Sequence, residues 1–320
     1  MIKKIFSILL AVSLMISAMG CAKKAEDDVN IRIAGLKGPT SIGLVKVMDE
    51  GGNGKYEFSL HGSADEVTPK LVKGELDMAA VPANLASVLY NNTDGEVILL
   101  AINTLGVIYI VDKGMDIKNV SDLKGQTVYA TGKGSTPEYA LRFILSENGI
   151  DPDKDVTLEF KSEPTEVVSI LSSQDTGVAM LPQPYVTVAQ TKVEGLTVAI
   201  DLTKAWNDLN NGSQLITGVL VARKSFVNEH PEAVRKFLSE YKGSVEYVLS
   251  DTKGAAALCE KYDIVKSAIA EKAIPYCNIT FISGEEMKAP LSGYLGTLFT
   301  QNPKAVGGKL PGDDFYYTAK

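Results

Sequence analysis

Downstream of its first thirty residues the chain alternates between two hydrophobic periods. "IRIAG" has the alternation of a strand, and "TSIGLVKVMDEG" spaces its apolar residues as a helix does. "YEFSLHG" reads as a strand, "DEVTPKLVKGEL" as a helix, "DMAAVPA" as a short buried strand and "NLASVLYNN" as a helix. "EVILLAINTLGVIYIVD" is a long β-rich run broken near Asn103 to Gly106. The order βαβαβ predicts an α/β fold. The order then restarts: "QTVYATGKG" is a strand and "STPEYALRFILSENG" a helix that stops at Gly149. "VTLEFKS", "EPTEVVSILSSQD", "GVAMLPQ", "YVTVAQTKV" and "LTVAIDL" follow. After the strand-like "SQLITGVLVARKSF", "HPEAVRKFLSEYKGSVEYVL" is helical with Pro231 near its start, and helical patterns fill Lys253 to Leu298. A Gly/Pro-rich tail closes the chain.

The two passages echo each other in detail. "GELDMAAVPANLASV" and "QDTGVAMLPQPYVTV" each end a small-residue strand in Pro, at Pro82 and Pro182, before a polar residue and a helix. "AGLKGPTSIGLVKVM" and "ATGKGSTPEYALRFI" share a strand, a Gly turn, Pro with hydroxyl residues, and a helix. Two related α/β lobes are expected. On such sheets the turns after the strands lie at their carboxyl ends, where ligands bind. Lys37-Gly38-Pro39-Thr40-Ser41, Ala83-Asn84, Ser135-Thr136-Pro137 and Gln183-Pro184-Tyr185 all occupy that position, so facing lobes would bring four helix mouths to one crevice.

The glycine-rich turn after Val128 is not a nucleotide loop. A P-loop needs G-x-x-x-x-G-K-[ST], but Gly132-Lys133 is followed by Gly134, and Thr127 stands where the leading Gly belongs. Hydrolytic chemistry lacks its parts too: there is no G-x-S-x-G elbow, and the only histidines are His61 and His230. His230, in "NEHPEAV", reads as solvent-facing, whereas His61 ends a strand beside Gly62-Ser63 within reach of a cleft. No Cys/His cluster has metal spacing. No catalytic residue, metal or cofactor is therefore expected.

At the amino end, Lys3-Lys4, an apolar run from Ile5 to Ile16 and Ala18-Met19-Gly20-Cys21 read as a secretory signal over residues 1–20. The residues before Cys21 resemble a lipobox, which implies a lipid on Cys21 and a polar tether over residues 21–30. Loss of Lys3 and Lys4 changes the formal charge of minus 7 to minus 9. An acidic body argues against nucleic acid. With 45% hydrophobic and 22% charged residues, the rest is globular. Cys259 and Cys277 are compatible with a disulfide and equally with two buried thiols.

Taken with "GPTSIGLVKVMD", "GELDMAAVPANLASVLY", "DLKGQTVYATGKGSTPEYALRFIL" and "GVAMLPQPYVTVA", the pattern resembles the type 2 periplasmic-binding-protein fold. Within it, the chain is similar to solute-binding lipoproteins of ABC importers related to nitrate, sulfonate and thiamine-precursor (pyrimidine) receptors. The resemblance implies two lobes joined by two hinge crossovers: residues 31–112 plus 217–320, and residues 113–216. The crossovers would lie near Val107 to Asp112 and Leu196 to Gly218. It further implies a monomeric, extracytoplasmic receptor for a small polar or anionic solute, anchored to the membrane by lipid and serving a permease and an ATPase. The cleft residues it implies are Lys37, Gly38, Pro39, Thr40, Ser41, Ser63, Asn84, Asn103, Thr104, Ser135, Thr136, Gln183 and Tyr185. Trp206, the only Trp, stands as a stacking wall or as hinge packing. The rival reading is an exported enzyme on the same fold, a pyrimidine-precursor synthase or a transferase.

Overall fold

The computed structural model describes residues 29–51 and 54–318. The expected signal and Cys21 lie outside the described residues. Strands β1 (Ile31–Leu36), β2 (Tyr56–His61), β3 (Met78–Pro82) and β4 (Val97–Leu105) follow the expected order. Between them lie helices α1 (Pro39–Ile42), α2 (Val45–Glu50), α3 (Ala64–Val72) and α4 (Ala83–Asn92). Then come β5 (Ile108–Lys113), β6 (Thr127–Thr131), α5 (Thr136–Glu147), β7 (Thr157–Lys161), α6 (Pro164–Ser173) and β8 (Gly177–Pro182). They are followed by α7 (Tyr185–Lys192), β9 (Leu196–Asp201), α8 (Leu202–Asp208) and β10 (Ile216–Arg223). The remainder holds α9 (Lys224–Glu229), α10 (Pro231–Ser250), α11 (Thr252–Lys261), α12 (Ser267–Ala273), β11 (Ile279–Ser283) and α13 (Lys288–Gln301).

Two sheets carry these elements. The first has the order β11-β4-β10-β3-β1-β2 and the second β7-β6-β8-β5-β9. Read from opposite ends they match strand for strand, with β11 an extra edge on the first. In each, two parallel pairings (β1 with β2 and β3; β6 with β7 and β8) adjoin an antiparallel strand, β10 or β5. Pro82 pairs with Gly218 and Pro182 with Ile108, so the repeated prolines occupy equivalent registers. The sequence repeat is thus a repeat of topology.

Strand β5 lies within the second sheet, paired with β8 and β9. The change of sheet therefore falls at Gly106–Val107, ahead of the expected lobe boundary at residue 112. Its period-2 alternation sends Ile108 and Ile110 into the large core, which runs through both lobes, while Tyr109 and Val111 face a smaller core under α6 and α7. The helical expectation for Lys253 to Leu298 fails at β11, whose "ITFIS" pairs with the edge of β4. Local propensity is overridden there by an available sheet edge.

The helix expected over "TSIGLVKVMDEG" is broken after Ile42, where α1 stops and α2 begins. The break lets the chain lie close to α10: a Cβ on Gly43 would sit 3.1 Å from Val245 and 3.2 Å from Ile279. Ser244 staples it, donating to Gly43 O and accepting from Lys46 N at 3.2 Å. Helix α5 stops as expected, with Gly149 in the left-handed conformation at φ +73. The Gly/Pro-rich tail is a fixed strap: Phe315 is fully buried, Tyr317 N donates to Leu99 O, and Ser87 and Asn91 of α4 donate to Val306 O.

At the base of the first sheet, Asp77 accepts from Arg32 Nη2 and Arg223 Nη2, both at 2.7 Å, tying β1, β3 and β10 together. Burial raises the pKa of the Asp77 carboxyl, but the bonds from Arg32 and Arg223 outweigh that and hold it below the usual carboxylate range. A depressed pKa contributes stability that is complete above the unfolded value and lost as pH falls through the folded one. Asp77→Ala is expected to cost about 1–3 kcal/mol at neutral pH by removing the shared acceptor of two partly exposed arginines. Denaturant melts should show the wild-type advantage shrinking below about pH 4.

Candidate functional site

The pseudo-symmetry of the sheets brings the four helix mouths together in two crossed pairs. At one, Asn84 of α4 meets Thr136 of α5: Thr136 Oγ1 donates to Asn84 Oδ1 at 3.2 Å and accepts from Asn84 N at 3.4 Å. Tyr294 of α13 adds a donor to the same Thr136 Oγ1 at 3.1 Å. At the other, Tyr185 of α7 donates its hydroxyl to Lys37 O at 3.1 Å. Burial pushes the Tyr185 phenol up to about 12, so it remains a donor at any physiological pH. Each pair joins one lobe's β1- or β6-type turn to the other lobe's β8- or β3-type turn.

On the Lys37–Tyr185 side the lobes enclose a cavity of about 500 Å³. The first lobe contributes Lys37, Gly62 and the segment from Glu260 to Ile269. The second contributes Glu163, Pro164 and Thr165 with Tyr185, Val188, Thr191 and Lys192. At its mouth Lys37 Nζ lies 2.6 Å from Asp263 Oδ2, and Lys266 Nζ lies 3.1 Å from Glu260 Oε1. Lys37 holds the Asp263 carboxyl below the usual carboxylate range. Opposite the Gly62 Cα stands Glu163, whose Oε1 a Cβ there would meet at 2.4 Å.

Of the residues expected at the cleft, Lys37 and Tyr185 line this cavity. Asn84 and Thr136 meet each other and are fully buried. Thr40 and Ser41 are buried within α1, and Asn103 and Thr104 are buried beside Thr40, where Asn103 Nδ2 donates to Thr40 O at 3.3 Å and Thr104 Oγ1 to Asn103 Oδ1 at 3.0 Å. Thr40 Oγ1 and Ser41 Oγ find no partner among the described residues. This convergence requires Gly218, where a Cβ would sit 2.5 Å from Thr40 Cγ2 and 2.6 Å from Asn103 Oδ1. Gly38 and Pro39 open α1.

The others turn inward. Ser135 Oγ donates back to Gly132 O at 2.7 Å, and Gln183 Oε1 accepts from Thr187 Oγ1 at 2.9 Å in its own helix. Ser63 begins α3 without a side-chain cap bond. Trp206 is fully buried between Phe143 and Tyr294, with ring centroids 4.7 and 5.6 Å away, and its Nε1 donates to Ser213. The ring is packed between elements of the two lobes, because Phe143 belongs to α5 and Tyr294 to α13. His61 is held by Glu66 and Ser59, while Lys133 is exposed. His230 is half-buried against Phe226 at 5.1 Å, not solvent-facing, because the turn between α9 and α10 folds it back. Cys259 and Cys277 are free, buried thiols. No group of three His, Cys, Asp or Glu is placed to hold a metal among the described residues.

Sequence reasoning missed Glu163 to Thr165, Thr191, Lys192 and the whole Glu260 to Ile269 wall. The last comes from the carboxyl-terminal third, where nothing in "CEKYDIVKSAI" marks a cleft. Only the structure shows the turn to be unusual: Asp263 adopts φ +53 past the end of α11, a conformation that few side chains tolerate.

Residues 47–261 match the model of the NMT1-like family. The chain belongs to that family. Among solved structures, this NMT1-like chain is similar to an ABC transporter protein from Parabacteroides distasonis, at 24% identity over 92% of this chain and 100% of that one, TM-score 0.75. It is also similar to the ligand-binding component of an ABC-type import system from Staphylococcus aureus with zinc bound, at 16% identity over 90% and 96%, TM-score 0.73. A third is the periplasmic aliphatic sulphonate-binding protein SsuA of Escherichia coli, at 16% identity over 91% and 92%, TM-score 0.71. No curated protein matches the sequence. The NMT1-like chain thus has the two-lobed fold of periplasmic binding proteins, as the sequence motifs implied.

Asn84 ties the strap to the second lobe's helix mouth, since its Nδ2 also donates to Ala305 O at 2.9 Å. Asn84→Ala is therefore expected to lower the unfolding free energy by about 1–3 kcal/mol, the cost of stranding buried partners. Thermal melts check this; an unchanged melting temperature would contradict the geometry.

Proposed function

We propose that the protein is the solute-binding component of an ABC importer, closing two lobes on one small molecule. The observation that carries this reading is the cavity beside Lys37 and Tyr185, whose walls come from both lobes, so that ligand contacts there exist only when the lobes meet. Pockets of this size suit a small metabolite. The comparison proteins, which include ABC import components and a sulphonate-binding protein, favour the same reading.

The hinge in this reading is the pair of connections Gly106–Val107 and residues 202–215, which leave adjacent strands where Leu105 pairs with Ile216. Its lobes are residues 31–106 with 216–318, and residues 107–201. Cys21 is the lipid anchor after removal of residues 1–20, the protein acts outside the cytoplasm as a monomer, and a permease and an ATPase are its partners. The sequence supports these assignments. The enzyme alternative is less well served, because the cavity is lined by no His, Cys or Ser.

Gently purified mature protein is expected to retain a small molecule detectable by native mass spectrometry. A saturating solute should raise the melting temperature, since a ligand at 100 times its Kd adds about 2.7 kcal/mol. A protein that retains nothing, and that no extract of small metabolites stabilises, would remove the basis of the proposal.

A further inference from the structure

The cavity is electrically balanced. Three cations line it, Lys37, Lys192 and Lys266, and three carboxylates, Glu163, Glu260 and Asp263. Two of the pairs are closed by direct contact, Lys37 with Asp263 and Lys266 with Glu260. Between them the walls are apolar: Pro164, Val188, Ile264, Val265 and Ile269. Lys37 is the cation best placed to greet an anion. Its backbone is fixed on both sides, with the N–H donating to His61 O at 2.8 Å and the carbonyl accepting from Tyr185.

Asp263 removes that opportunity. Its carboxylate is 90% exposed, and an exposed ion pair adds little to stability, so stability does not explain why it reaches to Lys37. Asp263 also adopts a left-handed backbone, which Asp tolerates but Gly and Asn suit better. Tethered to the same protein, it competes for Lys37 at a high local concentration that a dilute solute anion does not match.

Resting on the solute-receptor reading, we propose that Asp263 is a specificity residue that excludes anions from this cavity, leaving uncharged or zwitterionic molecules as its solute class. An anion at Lys37 would have to displace that carboxylate and also face Glu163 and Glu260.

The test uses the whole mature protein with ethanesulfonate and nitrate as probes, by isothermal titration at low ionic strength, where charge effects are least screened. Wild type is expected to bind neither. Asp263→Asn, which keeps a residue at home in the left-handed region, should bind at least one probe about tenfold or more tightly than wild type. Asp263→Gly should do the same, and Lys37→Met added to either should abolish the gain. Wild-type binding of either probe as tight as that of Asp263→Asn overturns the proposal, and so does a folded pair of variants that gain nothing. The receptor reading fails differently, by absence of any retained or stabilising molecule. A wild type that takes up ethanesulfonate would leave that reading intact and sink only the exclusion of anions.

Discussion

A side-chain amide with no exposed atoms must find its partners inside the protein, and Asn84 finds them in three places. Its Nδ2 reaches Ala305 O in the strap at 2.9 Å and Gly134 O in the opposite lobe at 3.4 Å, and its Oδ1 accepts from Thr136. A buried amide left half-paired is costly. The satisfied arrangement therefore fixes α4, the strap and the second lobe's helix mouth relative to one another. The strap is bound in turn through Phe315, edge-on to Tyr90 at 5.1 Å, and through Tyr317 on β4. One polar residue thus couples the carboxyl terminus to the meeting of the lobes.

The parts of this fold that were legible in the sequence are those set by local pattern. The βα order, the stop at Gly149 and the paired prolines at Pro82 and Pro182 are each written in a few consecutive residues. So were the helix mouths, and Asn84, Thr136, Lys37 and Tyr185 do meet across the lobes. What stayed hidden depends on distant packing. β11 became a strand because β4 offered an edge, and the "GGKLPGDDFYY" strap shows in the sequence only as a Gly/Pro-rich tail because the groove that receives Phe315 is built by α4 and β4. The Glu260–Ile269 wall reaches the cavity only through the packing of α11 and α12. Ser135 occupies the N-cap position of α5 and Gln183 lies two residues ahead of α7, but their side chains satisfy their own turns, as such residues commonly do.

The two crossed pairs differ in how they are surrounded. The Asn84–Thr136 pair lies against the Phe143–Trp206–Tyr294 stack, and the hydrophobic core is continuous through it. Opening the molecule there would expose aromatic surface at about 25 cal/mol for each Å². The Tyr185–Lys37 pair has no such backing and borders the cavity. The side of the molecule that can part at the lower cost is therefore the Tyr185 side, with the aromatic stack as the fixed edge, which agrees with the adjacency of the two interlobe connections at Leu105 and Ile216.

Tyr185–Lys37 is a single neutral hydrogen bond, of the kind that contributes about 0.5–1.5 kcal/mol net. On the cavity side that bond is joined by the packing of α7 on α12, so the two lobes meet there through apolar contact as well as through one hydrogen bond. Charge was the other available means of closure. Three lysines and three carboxylates sit around the cavity, but Lys37 and Asp263 both belong to the first lobe, as do Lys266 and Glu260. The closed ion pairs at the mouth therefore spend their attraction within one lobe and add nothing to the contact between the lobes.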